Sequence, residues 1–230
     1  MITGASSGIG AIYADRLARR GYDLILVAAD LERLYTLATE ITDHTRRCVE
    51  TLMADLADKA DLSRVEAVLR TDASITLLLN NVGYDAPAPA PMPRLAQVDA
   101  VIALQVRTPT RLAYAIAPAF VARGVGTIIT IAAHVAPGRE PLSGVYAACR
   151  AFMVALSQSL HQELAQHGIR IQLALPQLPA PEDWAMPFAD LQGGVATPLD
   201  GFVDAALAAL DEGRYAPPFD NIFFGASANG

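Results

Sequence analysis

The eight residues Thr3-Gly4-Ala5-Ser6-Ser7-Gly8-Ile9-Gly10 constrain this chain more than any other stretch. They follow a short apolar run and lead straight into Ile9–Arg20, where apolar residues recur at helical spacing. Three glycines so placed have a physical use where a strand turns into a helix. Gly4 permits a tight turn, Gly8 lets the backbone approach a pyrophosphate, and Gly10 lets helix and strand pack closely. The helix start offers unpaired N–H groups and a positive dipole end to phosphate oxygens, and Ser6 and Ser7 add hydroxyl donors. A glycine triplet alone is weak evidence. One between a strand and a helix, in an alternating chain, points to a dinucleotide. The plain alternative is a glycine-rich turn that holds nothing.

That alternation is present. Strand-length apolar runs occur at Asp23–Ala28, Arg47–Leu52, Ile75–Asn80, Thr127–Ile131 and Ile169–Leu175. Helical patterns lie between them at Leu31–Thr42, Leu62–Arg70, Leu95–Leu104, Arg107–Ala122 and Gly144–His167. Runs such as Leu24-Ile25-Leu26-Val27 are apolar on both faces, as a sheet covered by helices on both sides requires. The expectation is an α/β fold: a doubly wound parallel sheet in three layers. Only Met1-Ile2-Thr3 precede the glycine turn, whereas a buried central strand usually runs about five or six residues. This leaves a late start, a truncation or a stub of a first strand as readings.

No composition break divides the 230 residues, so one domain over 1–230 is expected. Asp85–Arg94, with prolines at 87, 89, 91 and 93, is an irregular excursion. The Pro-, Gly- and Asp-rich segment 177–198 wanders over one sheet edge before a last helix near Phe202–Leu210. The chain is 53% hydrophobic. No run approaches the ~18 apolar residues of a membrane helix, because Arg107, Arg111 and Arg123 break the most apolar region. No membrane partner is expected. The net charge of −7, with no basic patch, argues against a nucleic-acid partner. Cys48 and Cys149 have no metal spacing and read as reduced thiols of a cytoplasmic protein; no metal is expected.

Several motifs then carry a family likeness. Thr3–Gly10 resembles the TGxxxGxG loop of the short-chain dehydrogenase/reductase family. Asp55-Leu56 sits where that family places the acidic residue that contacts adenine. Asn80-Asn81-Val82-Gly83 is similar to its NNAG element, and Tyr146-Ala147-Ala148-Cys149-Arg150 is in register with its YxxxK. The likeness runs from Met1 to about Leu175. It implies a Rossmann-like domain that holds NAD or NADP through Gly4, Ser6, Ser7, Gly8, Ile9, Gly10, Asp55, Leu56, Asn81, Gly83, Tyr146 and Arg150. It also implies carbonyl/alcohol hydride transfer, a substrate lid over 177–198, and a homodimer or homotetramer. The family's interface helices correspond to Arg107–Ala122 and Gly144–His167; the small residues Ala147, Ala148, Ala151 and Ala155 lie on the second.

The departures from the family pattern lie at the chemistry. The family's serine, thirteen residues before the tyrosine, is Ala133. Its lysine is Arg150 and its helix asparagine is Gln105. A tyrosine titrates near ~10 unaided and needs help to exchange a proton near neutrality. Arg150 supplies a cation but does not readily give up a proton, and its planar fork differs from an ammonium. Ala133 has no hydroxyl to orient a carbonyl, a loss that commonly costs ~10²–10³ in rate. Gln105 carries its amide on a longer stem, which displaces a water relay. Ser143, one helical turn before Tyr146, and His134 are candidate substitutes; the plain readings are a helix cap and a loop side chain.

The dinucleotide is not chosen by sequence. An acidic residue at the end of the second strand binds ribose hydroxyls, and an arginine there accepts the extra phosphate of NADP. Ala28 and Ala29 occupy those positions, and Asp30 reads as the cap of the next helix. Three functions follow: an oxidoreductase of weak or lost activity using Tyr146 and Arg150, a non-catalytic dinucleotide-binding sensor or partner subunit, and a non-redox enzyme on the same scaffold.

Overall fold

All the expected strands form, and they run parallel: β1 (Ile2–Thr3), β2 (Leu24–Ala28), β3 (Val49–Met53), β4 (Leu77–Asn80), β5 (Gly126–Ile131) and β6 (Ile169–Ala174). The computed structural model describes residues 1–6, 8–81, 94–132, 144–176 and 198–213. The strands lie side by side in the order β3-β2-β1-β4-β5-β6. The order reverses between β1 and β4, and in such sheets the crevice beyond the carboxyl ends at the reversal is where ligands bind.

The helices are α1 (Gly8–Arg19), α2 (Leu31–Thr45), α3 (Lys59–Thr71), α4 (Leu95–Ile102), α5 (Thr108–Arg123), α6 (Gly144–Leu164) and α7 (Pro198–Asp211). They cover both faces of the sheet, and the period-2 alternation of β2 shows why. Leu24, Leu26 and Ala28 enter the core shared with α1, α2 and α7, while Ile25 and Val27 enter the core shared with α3, α5 and α6. Arg16 of α1 holds α7 in place, pairing with Asp200 at 2.8 Å and Asp204 at 2.9 Å while also bonding Asp15.

Local chemistry moves several element ends away from the sequence expectation. Helix α3 starts at Lys59 rather than Leu62, because Asp58 accepts from the N–H groups of Ala60 and Asp61. Helix α2 runs three residues past Thr42 and stops where Arg46 adopts a left-handed φ of 59°. Helices α4 and α5 are joined end to end by a π turn, Ala103–Arg107, so two expected helices form one rod with a widened turn. Helix α7 begins at Pro198, four residues before the expected Phe202. Strand β1 spans two residues, and beside it the Met1 amine donates to the Leu77 carbonyl at 2.8 Å.

Candidate dinucleotide and active site

The glycine loop leaves β1 at the reversal point and enters α1. Gly4 has φ +60° and Gly8 φ +52°, left-handed conformations in which a side chain would be strained. Gly10 serves a different need. A Cβ there would lie 2.2 Å from the Gly4 carbonyl oxygen and 2.6 Å from Asn81 Nδ2. The close approach of helix to strand is therefore real and is made against the loop itself. Ile9 anchors the helix start in the core, and Ser6 lies half-buried beside it.

Asn81 ties this loop to the neighbouring strand. Its Nδ2 donates to the Gly4 carbonyl at 3.0 Å, and its backbone N–H donates to Thr3 Oγ1 at 3.1 Å. The Thr3 hydroxyl in turn donates to the Leu79 carbonyl at 3.1 Å. A residue expected to face the cofactor thus also braces the turn that would hold it. Sequence reasoning misses Thr3 as a functional residue; a hydroxyl residue at the buried end of a strand of apolar neighbours is the signal that marks it.

Asp55 is exposed at the end of β3, with Oδ1 accepting from the Ala57 N–H at 2.9 Å in a tight turn. Leu56 is buried, and its carbonyl accepts from Thr108 Oγ1 at 2.8 Å. At the end of β2, Ala28 is buried and Ala29 exposed. Asp30 caps α2 by accepting from the Arg33 N–H at 3.0 Å, as its sequence reading holds. The left-handed glycines, the unpaired N–H groups expected at the α1 start and the small residues Ala28 and Ala29 at the end of β2 are the described features that would suit a dinucleotide.

Tyr146 and Arg150 lie one turn apart on α6. Tyr146 is buried against Val101 of α4 and Cys149, with Val106 of the π turn packed alongside. Arg150 is half-buried. Burial pulls its guanidinium pKa below the ordinary arginine value, and the nearby Tyr146 side chain pulls it back up. Its Nε has no hydrogen-bond partner among the described residues. Gln105 lies buried in the π turn and lines a small cavity with Thr3, Asn80 and Thr130, inside the strand ends. Ser7, Gly83, Ala133, His134, Ser143 and the lid segment 177–197 lie outside the described residues.

On α6, Ala147, Ala148 and Ala155 are exposed and Ala151 is half-buried, so most of this small-residue stripe does not pack on the subunit's own sheet. Phe152 beside it and Tyr114 on α5 are 41% and 50% exposed. Among the described residues, no helix is long and apolar enough to cross a membrane, and no metal-binding cluster of His, Cys, Asp or Glu is present.

Comparison with known proteins agrees with this fold. The family model described as short chain dehydrogenase matches residues 1–182. A very-long-chain 3-oxoacyl-CoA reductase of Coccidioides immitis is 30% identical over 183 residues, 77% of this chain and 52% of that protein. The inactive hydroxysteroid dehydrogenase-like protein 1 of Homo sapiens is 27% identical over 178 residues, 76% of this chain and 54% of that protein. The chain spans about half the length of these curated relatives. A short-chain dehydrogenase from Sphingobium yanoikuyae, solved in complex with NADPH, superposes with a TM-score of 0.83 at 42% identity, over 95% of this chain and 87% of that one. Fold, glycine loop and matched residues together place this chain in the short-chain dehydrogenase family.

Proposed function

We propose that this chain binds NAD(P) at the crevice between β1 and β4 and transfers hydride between dinucleotide and a carbonyl or alcohol, at a rate far below that of an intact site. The observation that carries the reading is the Tyr146–Arg150 pair: a buried phenol one turn from a half-buried cation. When bound, the reduced nicotinamide supplies the hydride to the carbonyl carbon. Tyr146 donates the proton to the carbonyl oxygen, and Arg150 stabilises the phenolate left behind. Arg150 does not pass a proton onward, so re-protonation of Tyr146 is slow. Ala133 offers the carbonyl no hydroxyl, which removes a further ~10²–10³. The NADPH complex of the Sphingobium relative supports dinucleotide binding. The alanines at the end of β2 leave NAD and NADP as alternatives.

The test is dinucleotide oxidation with a panel of carbonyl compounds, with Tyr146→Phe as the control. Slow turnover abolished by Tyr146→Phe supports the mechanism, and turnover unchanged by it refutes it. A second reading is a dinucleotide-binding subunit without turnover. It is favoured by the joint replacement at 105, 133 and 150 and by the relative named inactive. Turnover of ~1 s⁻¹ or more on any substrate rules that reading out. The exposed small-residue stripe of α6, with Tyr114 and Phe152, supports assembly through α5 and α6 into a homodimer or homotetramer. The working location is the cytoplasm, where the free thiols Cys48 and Cys149 stay reduced.

A further inference from the structure

We propose that the partly open recess between the ends of β1, β4 and β5 and the π turn holds one ordered water, and that this water fastens the π turn to the sheet beside the glycine loop. The cavity is about 10 Å³ and is lined by Thr3, Asn80, Gln105, Thr108, Thr130 and Met153, among others. That is room for about one water molecule, and its lining is polar enough to keep one.

The decisive group is Asn80. It is 3% exposed, and its Oδ1 has no hydrogen-bond partner among the described residues. Its Nδ2 donates to the Pro109 carbonyl at 3.4 Å. That carbonyl fixes the amide's orientation, because a flipped amide would set two oxygens against each other. A buried carbonyl-type oxygen left without a donor destabilises the fold. Asn80, Gln105 and Thr130 share the lining, and the Gln105 amide and the Thr130 hydroxyl can each complete a water's bonds. A water needs two to four partners, and these three supply them.

The position gives the water a consequence. Asn80 precedes Asn81, whose side chain holds the Gly4 carbonyl. Gln105 lies in the π turn whose Val106 packs against the Tyr146 cluster. One water therefore joins the strand that braces the dinucleotide loop to the turn that backs the tyrosine.

The experiment is a crystal structure of the full chain at about 1.5 Å, with melting curves of Thr130→Val and Gln105→Met. We expect a density peak within hydrogen-bond reach of Asn80 Oδ1 and of Gln105 or Thr130. Each variant then loses a water partner, and Tm falls by about 2–4 °C. An empty cavity, or Asn80 Oδ1 met by a protein donor, overturns the proposal. So does a rise in Tm, since in a dry cavity removing an unpaired polar group stabilises the fold. If either variant fails to fold, the wild-type density alone decides.

Discussion

Replacing Gly10 with alanine tests the geometry of the glycine loop at its tightest point. The added Cβ would stand 2.2 Å from the Gly4 carbonyl oxygen, where ordinary contact begins at 3.4 Å. The carbonyl must therefore withdraw by about 1 Å, or α1 must lift by as much. Gly4 has no slack, because a Cβ at its own position would already lie 2.4 Å from the Asn81 carbonyl oxygen. Overpacking of this kind costs about 1–3 kcal/mol, and the Asn81–Gly4 hydrogen bond, about 1 kcal/mol, goes with it. The intrinsic gain of alanine over glycine in a helix offsets about 0.5–1 kcal/mol. The net loss is about 1–3.5 kcal/mol, or a fall in Tm of roughly 2–14 °C for a chain of this size. Dinucleotide affinity should fall at least about tenfold, since the displaced carbonyl belongs to the phosphate turn. Gly201→Ala in α7 is the matched control. A Cβ added at Gly201 would meet nothing within 4 Å, so this variant should gain about 0.5–1 kcal/mol. Differential scanning calorimetry of both variants, with NADPH titrations, reads the contrast. If Gly10→Ala melts like Gly201→Ala, helix and strand are not packed as described.

Two further outcomes follow. Arg150→Lys restores a side chain that can exchange a proton, so turnover should rise about tenfold or more; an unchanged or lower rate contradicts the role given to Arg150. Glu66 accepts from Arg111 and Arg70, with the Arg111 Nη2 contact at 2.8 Å, and the Arg111 hydrogen bond foremost holds its carboxyl below the usual range. A depressed folded-state pKa means stability present above the unfolded carboxylate value and lost as pH falls through the lower folded value. Glu66→Gln should thus cost about 1 kcal/mol at neutral pH and flatten the acid limb of Tm against pH; an acid limb as steep as the wild type's would reject the pairing.

Much of this fold is legible in the sequence because the strands are short, doubly apolar and separated by helical periods. A single side chain overrides the apolar pattern at several element ends. Asp58 starts α3 three residues before the apolar period begins, and no apolar spacing signals a cap. The π turn is invisible because Leu104-Gln105-Val106 carries no glycine or proline to mark it. The glycine positions are legible because each has a distinct steric reason. Thr3 and Asn80 are not, because their roles depend on strand neighbours brought together by topology. For Asn81, sequence supplies the position but not its second task of holding Gly4, which exists only once β1 and β4 are adjacent.

The most direct test of the account is calorimetric titration of the purified chain with NADPH and with NADH. Binding in the micromolar range by at least one, lost in Gly10→Ala, is the predicted result. No heat, and no rise in Tm with either nucleotide at millimolar concentration, would contradict it: the glycine loop would then be an inherited turn that holds no phosphate.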